Sequence, residues 1–364
     1  MIGMTGSAIQ PRYGRSHRGL TTMPVLAGLT LLLILTTGVA VLLGSVRIQI
    51  PELLAAFRHG VKGLLGSRVD AGSASEPATF IILQIRTPRV LASAVVGLAL
   101  ASSGAAMQAI FQNPLASPYL LGVASGANMG AALVIAAGLA PLLGGGALPL
   151  GAFLGAVFAV AAIYGLSSLR GGTPAPHTLI LAGVALGALF SAVTSFLIFV
   201  SGNQMMEIIT WMMGSLGRAE WGQMSWLAPS VLPCYLLLIV LAQDLNALSL
   251  GDEGAQHLGV RPTLFRPLVA LLVTVMTGAA VAVAGTIGFV GLITPHAIRL
   301  LLGPDHRMLI PASGLAGASF LVIADTLART VIAPAELPVG IVTAVVGGPF
   351  FLYILLARPG GSLR

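Results

Sequence analysis

The chain has 364 residues, of which 56% are hydrophobic and only 8% are charged, whereas about a quarter of the residues of a soluble domain are charged. So little charge cannot cover the surface of a soluble fold of this length, which indicates an integral membrane protein. The net charge of +7 comes from bases scattered between apolar runs. Because they form no single stripe, we exclude nucleic acid as a partner and expect them at the edges of a lipid membrane.

The first element in chain order is a polar stretch, residues 1–22, which precedes the apolar run 23–45. This run is too long for the core of a signal peptide and lacks a small-residue cleavage site. We therefore interpret residues 1–22 as a cytoplasmic tail and the run as a retained first span.

Apolar runs and the breaks between them indicate about ten transmembrane helices in total, since roughly 20 apolar residues cross a bilayer. The nine that follow the first are expected at residues 88–110, 122–141, 148–169, 178–201, 225–247, 267–287, 290–302, 309–330 and 339–357. This pattern predicts an all-α polytopic membrane protein with one transmembrane domain over residues 23–358.

Basic residues in the breaks predict the orientation. Arg or His occurs in the breaks 170–177, 245–266 and 303–307 and at both ends of the chain, and ten spans bring all of these to one side. Cytoplasmic loops are enriched in bases, so both termini are expected in the cytoplasm. The opposite side carries the basic segment 46–87, but the rule is weaker for long segments.

Two similar motifs suggest an internal repeat. "PLASPYLLG" begins at Pro114 and "PHAIRLLLG" begins at Pro295. They follow the second and the seventh span, and a displacement by five spans inverts one copy in the membrane. Spans 2–5 and 7–10 would then form an inverted repeat, which is typical of transporters. Chance similarity between two apolar segments is the alternative.

Several long segments resemble one family. They are "RTPRVLASAVVGLALASSGAAMQAIFQNPLASPYLLGVASGA" (86–127), "WMMGSLGRAEW" (211–221) and "GFVGLITPHAIRLLLGPDHRMLIPASGLAGAS" (288–319). In this order they resemble the FecCD family, the permease subunits of type II ABC importers for ferric siderophores, haem and vitamin B12. The resemblance runs from about residue 25 to residue 358.

The resemblance implies a fold like that of the vitamin B12 permease, with ten spans per subunit in the inner membrane. It also implies a homodimer with the pore at its axis. Two copies of an ATP-binding subunit would bind on the cytoplasmic side, and a periplasmic substrate-binding protein would deliver the substrate on the other side. A heterodimer with a related permease stays open.

The polar break 245–266, which we call the coupling segment, is the expected contact with the ATPase. In the family this segment forms two short helices. Glycines permit sharp turns, and acids are favourable at a helix start. The expected coupling residues are Gly251, Asp252, Glu253, Gly254, His257 and Gly259. An ordinary solvated loop is the alternative.

Three arginines are expected to dock the binding protein. Arg86, Arg89 and Arg329 match arginines that meet glutamates of the binding protein in the vitamin B12 permease. The planar guanidinium group stays charged and suits a carboxylate. The alternatives are snorkelling at the membrane edge and, for Arg329, a helix pair with Asp325.

A cytoplasmic gate is expected where helices are interrupted. Its predicted residues are Asn113, Leu115, Pro176 and His177. Asn113 and Leu115 match residues that narrow the cytoplasmic mouth of the vitamin B12 permease. For Asn113 the alternative is capping of the following turn, which is compatible with a gate, and for His177 it is an ordinary polar helix end.

The fifth span is rich in small and hydroxyl side chains, which would give a bulky chelate room without binding it tightly. The predicted pore-lining residues are Gly183, Gly187, Ser191, Thr194 and Ser195. Close helix packing by small residues is the alternative.

Other chemistry has no motif in this sequence. GxxxxGK[ST], HExxH and CxxC are all missing, and His296 and His306 have no companion ligands at metal spacing. We therefore expect no enzymatic activity, no metal site and no cofactor in this chain, with ATP and Mg²⁺ bound by the partner ATPase.

The favoured substrate is a ferric siderophore or a related iron chelate, with vitamin B12 or haem as alternatives. A secondary transporter driven by an ion gradient is an alternative from another class, and it would require carboxylates at mid-membrane. Asp244 and Asp325 are the acids nearest that description. An intramembrane enzyme is disfavoured because no catalytic constellation is visible.

Overall fold

The computed structural model describes residues 19–44, 51–52, 58, 76–139, 144–169 and 175–357. These residues form helices joined by turns and contain no β-strand. Most of the predicted tail, up to residue 18, lies outside the described residues.

The α-helices in chain order are α1 (Gly19–Leu42), α2 (Glu76–Phe80), α3 (Thr87–Ile110), α4 (Val123–Ala136), α5 (Ala147–Ser168), α6 (Pro176–Val200), α7 (Met205–Met212), α8 (Trp221–Val240), α9 (Ala242–Leu248), α10 (Asp252–His257), α11 (Pro262–Ala284), α12 (Val290–Leu302), α13 (His306–Thr330) and α14 (Val339–Ala357). A π-helical turn (Ile81–Arg86) joins α2 to α3, and 3₁₀ turns precede α4 and α7.

Ten apolar helices correspond to the ten predicted spans. Among the described residues, seven helices are long and apolar enough to cross a membrane, and three shorter ones lie at Val123–Ala136, Val290–Leu302 and Val339–Tyr353. The prediction of an all-α polytopic protein with about ten spans is therefore confirmed. The two predicted repeats, spans 2–5 and 7–10, share a feature. Helices α4 and α12 are both short, and each follows a residue with positive φ, Gly122 and Phe289 respectively.

Two boundaries differ from the prediction. The second span begins at Pro77 rather than at residue 88, because the π-helical turn joins α2 to α3 without interrupting the helix. Pro88 lies just after this turn, and it has no backbone N–H to donate. The sixth apolar run is broken at Leu241. Its last part is the separate helix α9. The leucines of α9 do not face lipid, since Leu245 and Leu248 are fully buried within the protein.

Helices α3, α11 and α13 are the most buried of the long helices, whereas few residues of α1, α6 and α8 are buried. The packing of α3 against α13 is the most extensive between any two described helices. At its centre the backbones touch, since a Cβ atom added at Gly97 would collide with the carbonyl oxygen of Gly317. Small residues thus allow the close approach on which helix association in lipid depends.

Helices α3 and α13 run antiparallel. The start of α3 contacts the end of α13 through Arg89 and Asp325, and the two helices meet again at Gly97 and Gly317. The pair therefore connects two faces of the molecule: the face with the predicted docking arginines and the face with the coupling segment.

Candidate functional site

Five charged side chains meet at the end of α13, and we call them the arginine cluster: Arg86, Arg89, Asp325, Arg329 and Glu336. Arg89 lies at its centre. Its Nη2 donates to Asp325 Oδ1 at 2.9 Å and its Nε donates to Asp325 Oδ2 at 3.0 Å. Its Nη1 donates to Glu336 Oε2 at 2.9 Å. The guanidinium group of Arg89 thus holds two carboxylates at once.

The other two arginines bind the end of α1. Arg86 Nη1 donates to the carbonyl oxygens of Val41 and Leu42 at 2.9 and 2.7 Å. Arg329 Nη2 donates to the carbonyl oxygen of Ala40. The last carbonyls of a helix have no partner within it, and cations are favourable there. Arg86 and Arg329 therefore fix α1 to the rest of the molecule.

All three arginines are buried in this chain, with 4 to 7% of their surface exposed. The pair of Arg329 with Asp325 is present, with 3.8 Å between Nε and Oδ2. Docking of a binding protein by these arginines stays a prediction, and it requires the internal partners to be exchanged for external ones. The exposed member of the cluster is Glu336, whose side chain is 42% exposed.

The same face has a cavity of about 270 Å³ that is lined by Glu207, Trp211, Arg218 and Gln223 among others. Arg218 is exposed and lies within the segment "WMMGSLGRAEW". Neither Arg218 nor Glu336 was among the predicted site residues, although both are charged residues in a chain that has few of them.

The coupling segment has the two short helices that the resemblance implied. Gly251 begins the turn into α10 with φ +97°, and Gly259 ends it with φ +83°. Only glycine adopts such angles without strain. Asp252 in the first turn of α10 accepts from Arg266 Nη1 at 2.9 Å, and a second bond joins the two groups. This pair ties α10 to the start of α11.

Two of the other predicted coupling residues are accessible to solvent. Glu253 and His257 are exposed, whereas Gly254 lies close to the side chain of Leu250. Leu250 and Leu258 are 69% and 63% exposed. A groove of about 300 Å³ lies beside them, lined by Asp244, Leu258, Gly259, Val260, Arg261, Leu264, Phe265 and Leu268.

The predicted gate residues after α3 lie on a tight turn, residues 111–117, which we call the gate loop. Asn113 Oδ1 accepts from the backbone N–H of Leu115 at 2.9 Å, so the capping interaction is present. Leu115 is 39% exposed. Gln112 has φ +49° and its Nε2 donates to the carbonyl oxygen of Leu248 in α9 at 3.3 Å. The gate loop therefore contacts the coupling segment.

The second pair of predicted gate residues begins α6. Pro176 is the first residue of the helix, which suits proline because the first N–H has no partner within a helix. His177 is exposed beside it.

The structure divides the predicted pore-lining residues into two groups. Gly183 packs against the carbonyl oxygen of Leu120, Gly187 faces Ser125, and Thr194 is buried. Ser191 and Ser195 are exposed on the adjacent stripe of α6. Close packing thus accounts for the first group, and pore lining remains a prediction for the two serines.

A polar network that the sequence did not indicate joins the helix ends on the coupling face. Asn246 of α9 contacts Asp305 and His306 at the start of α13. Arg299 Nη2 of α12 donates to Gln108 Oε1 of α3 at 2.7 Å. These partners lie 59 or more residues apart along the chain, and no local motif marks such pairs.

The described residues contain no group of three or more His, Cys, Asp and Glu side chains that could hold a metal ion.

Comparisons with known proteins agree with this architecture. The model of the FecCD transport family matches residues 29–357. The hemin transport system permease protein of Yersinia pestis is 45% identical over 289 residues, which is 79% of this chain and 86% of that protein. The vitamin B12 import system permease protein of Klebsiella pneumoniae is 40% identical over 338 residues, which is 92% of this chain and 94% of that protein.

Among solved structures, a protein described as a metal-chelate type ABC transporter in an inward-facing conformation has a TM-score of 0.77 and 32% identity. The similarity covers 92% of this chain and all of that one. The resemblance seen in the sequence is confirmed, and so is the fold class. This chain belongs to the FecCD transport family, as a multi-pass ABC importer permease of the metal-chelate type.

Proposed function

We propose that this permease is the membrane subunit of an ATP-driven importer that moves an iron chelate, a ferric siderophore or haem, across the cytoplasmic membrane. Vitamin B12 is the alternative substrate. The chain itself acts as a transport subunit, while a separate ATPase binds ATP and Mg²⁺ and a substrate-binding protein delivers the chelate. The coupling segment faces the cytoplasm together with both termini, and the arginine cluster faces the outer side.

The observation that carries this proposal is the architecture of the coupling segment. Two short helices with glycine turns expose Leu250, Leu258 and Glu253 next to a groove. The ion pair between Asp252 and Arg266 fixes this surface to α11. A surface that receives force from a second polypeptide must be both accessible and stiff, and this segment combines the two properties.

The exposed faces of α6 and α14 support a homodimer with the pore at its axis. Leu181, Val184 and Phe196 on α6 and Val345 on α14 are each more than 60% exposed. Lipid can cover such a surface, but the exposed hydroxyls of Ser191 and Ser195 on the same helix favour a water-accessible path. A second copy of this chain would place two such stripes on either side of a pore.

The relatives point to the class of substrate. Two relatives are named as permeases for hemin and for vitamin B12, which are an iron and a cobalt complex of large organic ligands. Ferric siderophores share this chemistry, a metal ion enclosed by an organic ligand. The pore residues that remain exposed on α6, Ser191 and Ser195, are small and weakly polar, which suits passage of such a chelate without tight binding.

Transport in proteoliposomes tests the proposal. The permease, its ATPase and its binding protein are reconstituted, and uptake of ⁵⁵Fe-siderophore, ⁵⁵Fe-haem and ⁵⁷Co-cobalamin is measured with and without ATP. We expect ATP-dependent accumulation of one iron chelate. We also expect this uptake to disappear when residues 251–259 are replaced by a Gly/Ser linker.

Three outcomes contradict the proposal or a part of it. Uptake driven by a proton gradient without the ATPase, retained after the linker replacement, would instead indicate a secondary transporter. Accumulation of cobalamin alone would keep the ATP-driven mechanism and replace the substrate. Labelling of a cysteine introduced at residue 253 from the outside of intact cells would contradict the orientation.

A further inference from the structure

One side chain of α9, Asn246, joins the coupling segment to the start of α13. Its Nδ2 donates to Asp305 Oδ1 at 2.7 Å, and its Oδ1 accepts from the backbone N–H of His306 at 2.8 Å. The same Oδ1 lies 2.8 Å from His306 Nδ1. A single amide thus contacts three groups in the first turn of α13.

These contacts complete the cap of α13. Asp305 is the N-cap residue and accepts from the backbone N–H of Arg307 at 3.0 Å. The N–H of His306 has no partner within its own helix, as is general for the first N–H groups of a helix. Asn246 supplies that partner from a different element. A movement of α9 that withdraws Asn246 would leave a buried N–H without an acceptor.

Helix α13 leads from this contact to the opposite face. It has 25 residues, which at 1.5 Å per residue corresponds to about 37 Å. Its first turn is held by Asn246, its middle packs on α3 at Gly317, and its last turns carry Asp325 and Arg329 of the arginine cluster. The helix therefore spans the distance between the two faces with a polar anchor at each end.

A second contact of α9 reaches the gate loop. Gln112 Nε2 donates to the carbonyl oxygen of Leu248, two residues beyond Asn246. The contact is longer, at 3.3 Å, and Gln112 is exposed. The Asn246 contact has shorter bonds, and one of its acceptors is charged, which makes such a bond roughly twice as strong as a neutral one. The Asn246 contact is therefore the stronger of the two.

We propose that Asn246 is the positioning residue through which the coupling segment moves α13, and with it the arginine cluster on the other face. The proposal rests on the function proposed above, because it assigns the source of the movement to the ATPase. Its role in this proposal lies in the contact with α13: it determines how much of the displacement of α9 reaches α13. Two sites are coupled energetically when both of them shift the same structural equilibrium. Here the two sites are the coupling segment and the arginine cluster.

The amide–carboxylate pair of residues 246 and 305 allows an exchange experiment. Asn246→Asp keeps the volume but places two carboxylates against each other. The double variant N246D/D305N restores the pair with its polarity reversed: the new amide at 305 donates to the new carboxylate at 246, which still accepts from the N–H of His306. Asp305 Oδ1 takes both the bond from Asn246 Nδ2 and the bond from the N–H of Arg307, so an amide at 305 that donates to residue 246 has to turn its own oxygen toward the N–H of Arg307 to keep the cap of α13.

The measurement is chelate taken up per ATP hydrolysed by the complete complex in proteoliposomes. This ratio does not depend on the fraction of complex that is folded, so a purely structural role of Asn246 would not change it. We expect N246D to lower the ratio about fivefold or more, the usual lower size of a coupling between sites. We expect N246D/D305N to restore it to within about twofold. Gln243→Ala, an exposed amide on the same helix, is the matched control and should have no effect.

An unchanged ratio in N246D overturns this inference. So does a low ratio that N246D/D305N fails to restore, since the contact would then not be the cause. If N246D does not assemble, D305N alone replaces it: this variant keeps the cap, should lower the ratio by a smaller factor, and contradicts the proposal if the ratio is unchanged. Failure of the unmodified complex to import with ATP would contradict the proposed function instead.

Discussion

The arginine cluster and the coupling segment are both polar regions at the ends of apolar helices, yet they are built in opposite ways. In the cluster the guanidinium groups are buried and their partners come from the same chain, at Asp325, Glu336 and the last carbonyls of α1. In the coupling segment one acid has an internal partner, and Glu253, His257 and Leu258 are exposed.

This difference separates stability from recognition. A charge that is buried with its partner contributes to the fold, and its removal leaves the partner without compensation. An exposed side chain contributes little to stability and is free to contact another protein. The arginines of the cluster would have to change partners before they could dock a binding protein, whereas Glu253, His257 and Leu258 of the coupling segment are already accessible.

The largest effect is expected from Arg89→Ala. Asp325 would stay buried without its main partner, which costs about 3 to 5 kcal/mol when one member of a buried pair is removed. The free energy of unfolding in mixed detergent micelles measures this. The matched control is Arg218→Ala, which removes an exposed arginine from the same face and should change the value by less than about 0.5 kcal/mol. Equal effects of the two variants would contradict the distinction between the regions.

A smaller loss is expected from Gly97→Val, which tests the helix pair that joins the two regions. A side chain at this position collides with the backbone of Gly317, and such overpacking costs about 1 to 3 kcal/mol. The same substitution at Gly28, where no atom lies within 4 Å of an added Cβ, is the control and should be nearly neutral. If both variants unfold alike, close contact between α3 and α13 is not required.

The helical fold could be predicted from the sequence because a long apolar run indicates a helix that is surrounded by lipid. The sequence located ten helices, and it failed where the run length is ambiguous. The run 225–247 reads as one span, but α9 is apolar for a different reason, since Leu245 and Leu248 are buried against protein. The start at Pro77 was missed because Gln84, Arg86 and Arg89 interrupt the apolar run between Phe80 and Val90.

The site was predicted less completely, for a reason that the arginine cluster makes clear. Arg89 bonds to Asp325 and Glu336, which are 236 and 247 residues away in the chain. A single sequence contains no distance information over such separations. The pair of Arg329 and Asp325 was anticipated because its spacing of four is a local helical rule. The glycine turns of the coupling segment were also anticipated, because a glycine that permits a sharp turn is likewise a local feature of the sequence.

Asp252→Asn probes the one internally paired acid of the coupling segment. The side chain of Asp252 is 48% exposed, whereas that of Arg266 is 7% exposed. Solvent reaches the carboxylate and weakens the ion pair, and the amide oxygen of asparagine still accepts from the guanidinium group, so we expect a loss of about 1 kcal/mol or less. The loss should shrink as salt is raised from 0.05 to about 0.5 M, because exposed charges are screened. The control is Glu253→Gln, the adjacent exposed acid. A loss as large as that of Arg89→Ala, independent of salt, would show that both regions are built alike.

The smallest change in stability, with the clearest change in recognition, is expected from Leu258→Ala. Leu258 is 63% exposed and borders the groove of the coupling segment, so its truncation should alter the free energy of unfolding by less than about 0.5 kcal/mol. An apolar side chain that anchors an interface contributes more than about 1 kcal/mol to binding, which corresponds to a fivefold or larger loss of affinity for the ATPase. Leu35→Ala on α1, which removes a similarly exposed leucine, controls for the loss of apolar surface. An unchanged affinity for the ATPase would show that Leu258 does not anchor the interface. The exposure of the coupling segment would then mean no more than the exposure of the helices that face lipid.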